Sequence, residues 1–153
     1  MSQREFSKVT DQRKAAFKRL RDAKKLLDYQ EAVDWRQTKG KHARGAMYLA
    51  GYAIECKLKA IAMEVNRCRT LQELQAKWAV DERDVFAHGL ESLIKRLPVY
   101  ERFTNSSVWK PFTAQVNRWR PSWRYDPDDY PNGNAAEFVQ AVQMVYDWLE
   151  NNQ

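Results

Sequence analysis

The stretch RGAMYLAGYAIECKLKAIA, residues 44–62, restricts the fold more than any other part of the chain. With successive residues about 100° apart on a helical wheel, apolar side chains fill both flanks of a helix from about 41 to 66. Five of its polar residues share one sector of roughly 80°. They are Arg44, Tyr48, Tyr52, Glu55 and Lys59. A helix that is apolar on nearly all sides needs neighbours on both flanks, which predicts a central helix of an all-α protein.

Other segments predict the helices that would surround this one. A first helix is expected from about Thr10 or Asp11, with one apolar face and basic remaining faces. Four further helices are expected. One would begin with a Thr70–Glu73 capping box, one would cover 88–98, one would run from Ser107 to about Trp119, and the last would begin at Asn134 with Glu137. We therefore predict a single all-α domain, residues 1–153. It would be an up-and-down bundle of four to five helices with one long irregular loop before the last helix.

Charge is distributed unevenly along the chain. From Asp126 onward there are six acids and neither Lys nor Arg, so residues 1–125 carry all 26 basic residues against 14 acids. One interpretation is that this basic body attracts phosphate backbones. The alternative is that its Lys and Arg side chains only keep the exposed helix faces solvated. No apolar run predicts a secretory signal or a membrane span, and Cys56 is expected to be a core residue. These features predict a cytoplasmic protein.

The polar sector of the central helix has two interpretations. In one, Glu55 pairs with Lys59 four residues later, and the tyrosine hydroxyls tie the bundle together. In the other, the sector faces an RNA or nucleotide ligand, with Tyr48 as a stacking surface and Arg44 as a charge. Under the second interpretation all five residues of the sector belong to a binding site.

A second candidate site is the segment NRWRPSWRY, residues 117–125. It alternates cationic with aromatic side chains, as surfaces that bind single-stranded nucleic acid often do. The candidate binding residues are Arg118, Arg120, Arg124 and Tyr125. The alternative is a structural loop that places Trp119 and Trp123 in the core and pairs its arginines with nearby aspartates.

Three motifs, in order, resemble those of HEPN domains, the higher eukaryotes and prokaryotes nucleotide-binding family. They are YLAGYAIECKLKAIA, AHGLESLIKRL and WRYDPDDYP. The resemblance implies a four- or five-helix bundle that pairs as a homodimer and binds RNA or a nucleotide. It also implies a partner such as a nucleotidyltransferase-type protein, as in two-component toxin–antitoxin or defence systems.

Many HEPN proteins are metal-independent ribonucleases that use an Arg followed a few residues later by a His. Arg83 and His88 have that spacing, and a histidine near neutral pH is suited to move the proton of a 2′-hydroxyl. The sequence departs from the family pattern in two ways: no histidine lies near the last helix, and Gly89 replaces the usual Asp. Three hypotheses therefore remain: a non-catalytic binding module, a ribonuclease that uses His88 with Arg83, and a protein–protein interaction subunit. No metal-ligand spacing or cofactor motif is present in the sequence, so neither a metal nor a cofactor is expected.

Overall fold

The computed structural model describes residues 8–27, 35–37, 39–40, 42–78 and 89–153. The helices in these ranges are α1 (Val9–Leu27), α2 (Ala43–Val65), α3 (Leu71–Trp78), α4 (Leu90–Ile94), α5 (Tyr100–Thr104), α6 (Trp109–Ala114) and α7 (Asn132–Asn151). Two 3₁₀ turns, Val116–Arg118 and Pro121–Tyr125, precede α7. Two short strands, β1 (Lys39–Gly40) and β2 (Tyr130–Pro131), pair antiparallel. The predicted all-α fold class is confirmed, with an irregular segment before the last helix.

Helix α2 is the central helix, as its apolar flanks predict. It packs against α1, α4, α7 and the Pro121–Tyr125 turn, and it is buried along most of its length. Helix α1 runs antiparallel to it, because Arg13 meets Glu64 near one end and Leu26 lies beside Gly45 near the other. Helix α7 runs alongside α2 in the same direction. Its first turn lies by β1, and its last turn reaches Lys57 of α2.

The segment between α3 and α7 differs most from the sequence prediction. The helix expected over 88–98 is the shorter α4, and the helix expected from Ser107 is α6, which begins at Trp109 without a side-chain cap. Helix α5 was not predicted. Its Phe103 is fully buried, with its ring centroid 5.0 Å from that of Phe112 and 5.2 Å from that of Trp148. Packing among these distant aromatic rings, rather than a local periodic pattern, determines where α5 lies.

Two of the predicted helix starts were expected to have a capping box, and their outcomes differ. The backbone N–H of Glu73 donates to Thr70 Oγ1 at 3.2 Å, so Thr70 caps α3 as expected. The Asn134–Glu137 start is wrong, because α7 begins at Asn132 without a side-chain cap. Tertiary contacts determine that position: the Asn132 side chain donates to the carbonyl oxygen of Trp35 at 3.0 Å, and β2 pairs with β1 immediately before it.

Two further expectations concern the cysteines and the membrane. Cys56 and Cys68 are both buried free thiols, so the prediction that Cys56 is a core residue is confirmed. Among the helices within the described ranges, none combines the length and the apolar character needed to cross a bilayer.

Candidate nucleic-acid interface

Arg44 is the first residue of the polar sector of α2, and its side chain contacts other residues of the protein. Its guanidinium carbon lies 4.1 Å from the ring centroid of Trp123 and 3.7 Å from that of Tyr130. Its Nη2 atom is 3.1 Å from Asp126 Oδ2, and only 12% of its side chain is exposed. Two stacked rings and an ion pair therefore hold the loop before α7 against the first turn of α2.

Tyr48 and Tyr52 form the middle of the sector. Their rings are nearly parallel, with centroids 6.1 Å apart, and the ring of Tyr48 also stacks against Trp119 at 6.1 Å. Tyr52 is half-buried, and this burial, together with its contact to Cys56, raises the pKa of its hydroxyl. Both tyrosine rings therefore pack against other side chains of the protein, as the guanidinium of Arg44 does.

Glu55 and Lys59 complete the sector as an ion pair one helical turn apart. Each side chain is only 11% exposed. The predicted pair is confirmed, and both charges lie largely beneath the surface. With Arg44 also enclosed, the structure fits the interpretation in which these polar groups tie the bundle together.

Trp119 anchors the arginine-rich segment that follows. Its ring is 2% exposed and packs against Gly51 of α2, while its indole N–H donates to the carbonyl oxygen of Tyr48 at 3.0 Å. Gly51 has no side chain, and the indole occupies the space that a Cβ would need. The core placement predicted for Trp119 is confirmed, whereas Trp123 is half-buried.

The exposed members of this segment lie around that anchor. Arg118, Arg120, Arg124 and Tyr125 are all exposed, and we call them the arginine–tyrosine surface. Arg120 donates to the carbonyl oxygens of Asn117 and Trp119 at 2.8 and 2.7 Å. Tyr125 is 72% exposed, and its ring centroid lies 4.6 Å from the guanidinium carbon of Arg124. Hydrogen bonds to Tyr48 and Tyr125 raise the pKa of Arg124.

A shallow cavity of about 260 Å³ lies between α2 and the loop that follows this surface. Its lining includes Tyr48, Arg124, Asp126, Asp128 and Asp129. Pockets that enclose a drug-sized ligand usually measure about 300–1,000 Å³. The cavity is thus small for an enclosed nucleotide, and its carboxylates would repel a phosphate. An extended ligand lying across the exposed arginines fits this geometry better.

The candidate catalytic residues, Arg83 and His88, lie outside the described residues. The next residue, Gly89, is described, and it stands where the resemblance to HEPN domains implies an Asp. Its φ of +85° is in the left-handed region, and a Cβ at this position would lie 3.2 Å from Arg120 Nη1. An aspartate at position 89 would therefore be strained by its backbone and crowded by Arg120.

Lys57 is a buried charge that the wheel did not single out. It is 2% exposed, it forms an ion pair with Glu150, and its Nζ lies 5.3 Å from the ring centroid of Tyr146. Two sequence signals could have found it. Cys56 and Leu58 flank it inside an apolar run, and the last helix carries acids but no base to pair with them.

Neither a protein-family model nor a curated protein nor a solved structure matched the chain. The resemblance to HEPN domains thus remains a hypothesis that depends on the three motifs and their order.

Proposed function

We propose that the protein is a HEPN-like helical module that binds single-stranded RNA on the arginine–tyrosine surface. One observation carries this proposal: Tyr125 presents most of its ring to solvent beside the guanidinium of Arg124. A large exposed ring next to a cation offers a base a stacking surface and offers the adjoining phosphate a charge.

The surface is held in place by a rigid support. Trp119 is buried between the exposed arginines and bonds the backbone of α2, and Arg120 is fixed by two carbonyl oxygens. Side chains that are already positioned lose less conformational entropy when a ligand binds. Arg118 and Arg124, on either side of Trp119, remain exposed for phosphate contacts.

The polar sector of α2 supports this surface instead of adding to it. Arg44 and Lys59 are paired with acids and largely buried, so they have little charge to offer a phosphate. Tyr48 links the two regions, because it stacks against Trp119 and accepts a hydrogen bond from Arg124. We therefore assign the direct contacts to the arginine–tyrosine surface and a supporting role to the sector.

The resemblance to HEPN domains supports the wider parts of the proposal. The protein would act in the cytoplasm as a homodimer. It would work beside a nucleotidyltransferase-type partner in a two-component toxin–antitoxin or defence system.

A gel that reads mobility shift and cleavage together tests the proposal. Labelled single-stranded RNA is incubated with the purified protein and a chelator. We expect a shift that weakens steeply with salt. Tyr125→Ala should weaken it by roughly five- to 150-fold, the loss of about one stacked base. Met144→Ala, which removes another exposed apolar side chain, is the matched control and should bind like wild type.

Two results would overturn the proposal. An absence of any shift at low salt would leave a protein–protein interaction subunit as the better function. Cleavage that persists with the chelator and disappears in His88→Ala would instead make the protein a ribonuclease. Arg83→Gln would then show whether Arg83 takes part in that reaction.

A further inference from the structure

Helix α1 presents a row of cations to solvent. The exposed bases on this helix are Lys14, Lys18, Arg21, Lys24 and Lys25, and with the exposed Phe17 we call them the α1 basic face. At about 1.5 Å of rise per residue, the row extends over roughly 16 Å. The opposite stripe of the helix, with Ala16, Leu20 and Ala23, is buried against α2.

Two of the described acids near this face are engaged with other bases. Asp22 lies 3.4 Å from Arg19, and Glu64 of α2 accepts from Arg13 Nε at 2.9 Å. Within the part of the chain that the structure describes, none of the five cations of the α1 basic face forms an ion pair. Since like charges three or four residues apart on a helix repel one another, this arrangement costs helix stability. A bound polyanion would relieve the repulsion.

The choice of polyanion follows from which side of α1 is free. A helix that binds a membrane surface places its apolar stripe in the lipid, but the apolar stripe of α1 is covered by α2. Only Phe17, which is 60% exposed, projects from the basic side. A row of cations with one aromatic ring suits a phosphate backbone with an unstacked base.

We propose that the α1 basic face is a second contact surface for RNA, one that binds the phosphate backbone without regard to sequence. This proposal rests on the proposed function in taking RNA as the ligand. The surface itself is separate from the arginine–tyrosine surface, so either one can fail alone.

The test compares two variants that lose the same charge. In the first, all five bases of the α1 basic face are changed to Gln. In the second, five exposed bases elsewhere are changed to Gln. They are Lys39, Arg67, Arg69, Lys77 and Lys110. Binding to a single-stranded homopolymer RNA is measured between 50 and 200 mM salt, and thermal unfolding is recorded to show that both variants fold.

In the first variant, we expect RNA affinity to depend much less on the salt concentration, because the phosphate contacts of α1 are lost. Five phosphate contacts contribute a slope of about −3.5 in log affinity against log salt. The first variant should therefore flatten the slope by about that amount and bind at least tenfold more weakly at 50 mM. The second variant should keep both the affinity and the slope of wild type. Phe17→Ala should weaken binding with little change of slope.

Several results would overturn this proposal. Equal losses of RNA affinity in the two variants would mean that the net charge of the protein, and not the α1 basic face, attracts the RNA. A wild-type slope in the first variant would mean that α1 makes no phosphate contact. Binding to phosphatidylserine vesicles that depends on these residues, with RNA binding unchanged, would make the ligand a membrane. The proposed function fails separately, if Tyr125→Ala binds like wild type while the first variant loses affinity.

Discussion

The indole ring of Trp119 lies directly against Gly51 of α2, in the space that a side chain at position 51 would occupy. The same ring donates to the backbone of Tyr48, 3.0 Å away. Glycine inside a helix costs about 1 kcal/mol of stability relative to alanine. At position 51 that cost is offset by the close packing of Trp119, which a larger residue would prevent. The arginine–tyrosine surface depends on that contact.

Gly51→Ala should destabilise the protein even though alanine is the better helix former. The added methyl group would overlap the buried indole, and overpacking of this kind costs about 1–3 kcal/mol. Gly45→Ala is the matched control on the same helix, because its nearest neighbour, Leu26 Cδ1, would lie 3.9 Å from the new Cβ. The control should gain about 0.5–1 kcal/mol. Urea unfolding measures both; equal effects would contradict the close packing of Trp119.

Arg44→Met should lower the free energy of unfolding by about 1–3 kcal/mol. It removes a guanidinium that stacks on Trp123 and Tyr130 and pairs with Asp126. Arg44→Lys should recover only part of the loss, since an ammonium keeps the charge but cannot stack as a planar group. RNA affinity, measured well below the unfolding temperature, should fall less than it does in Tyr125→Ala, because Arg44 supports the arginine–tyrosine surface from behind without contacting the RNA. Wild-type stability combined with a large loss of RNA affinity would make Arg44 a direct contact.

Glu150→Gln should destabilise the protein because it leaves the buried ammonium of Lys57 without an anion. We expect a cost of about 1–2 kcal/mol at neutral pH, since half of the Glu150 side chain is exposed to solvent. In a Lys57→Met background the same change should cost less than about 0.5 kcal/mol. A double-mutant cycle by urea unfolding measures the difference. Equal costs in the two backgrounds would show that the pair does not stabilise the fold.

The same pair predicts a pH dependence. The hydrogen bond from Lys57 lowers the pKa of Glu150 below its ordinary value of 4.5. A carboxyl whose pKa is depressed by folding stabilises the protein above its unfolded pKa and loses that contribution as the pH falls through its folded pKa. The stability gap between wild type and Glu150→Gln should thus be full at pH 7 and should shrink below about pH 4.5. A gap that is constant from pH 7 to pH 3 would contradict the pairing.

Sequence periodicity was sufficient to predict the fold where the structure is locally regular. The flanks of α2 predicted its burial, and the i to i+4 spacing of Glu55 and Lys59 predicted their pair. It was insufficient where distant contacts determine position. Asn132 begins α7 because it meets Trp35, 97 residues earlier in the sequence, and Phe103 is buried because it meets distant rings such as that of Trp148.

The candidate site shows the same division. A wheel identifies a polar sector but does not show what covers it, so it could not separate a ligand groove from an internal seam. The rings of Trp123 and Tyr130, brought in from the loop before α7, cover Arg44. The exposed ring of Tyr125 is two residues from Trp123 and faces solvent instead. Their different exposure depends on tertiary packing, which the alternation of residue types does not encode.

The thiol of Cys56 should be nearly unreactive in the folded protein. Burial raises its pKa to about 11, despite the opposing influence of Lys59. At pH 8 only about one thiol in a thousand is then ionised, and the side chain is 1% exposed, so a reagent that needs the thiolate must wait for the helix to open. In a Cys68→Ala variant, which leaves Cys56 alone, a disulfide reagent should label one thiol promptly in denaturant and almost none without it. Prompt labelling of the folded variant would contradict the burial of this face of α2.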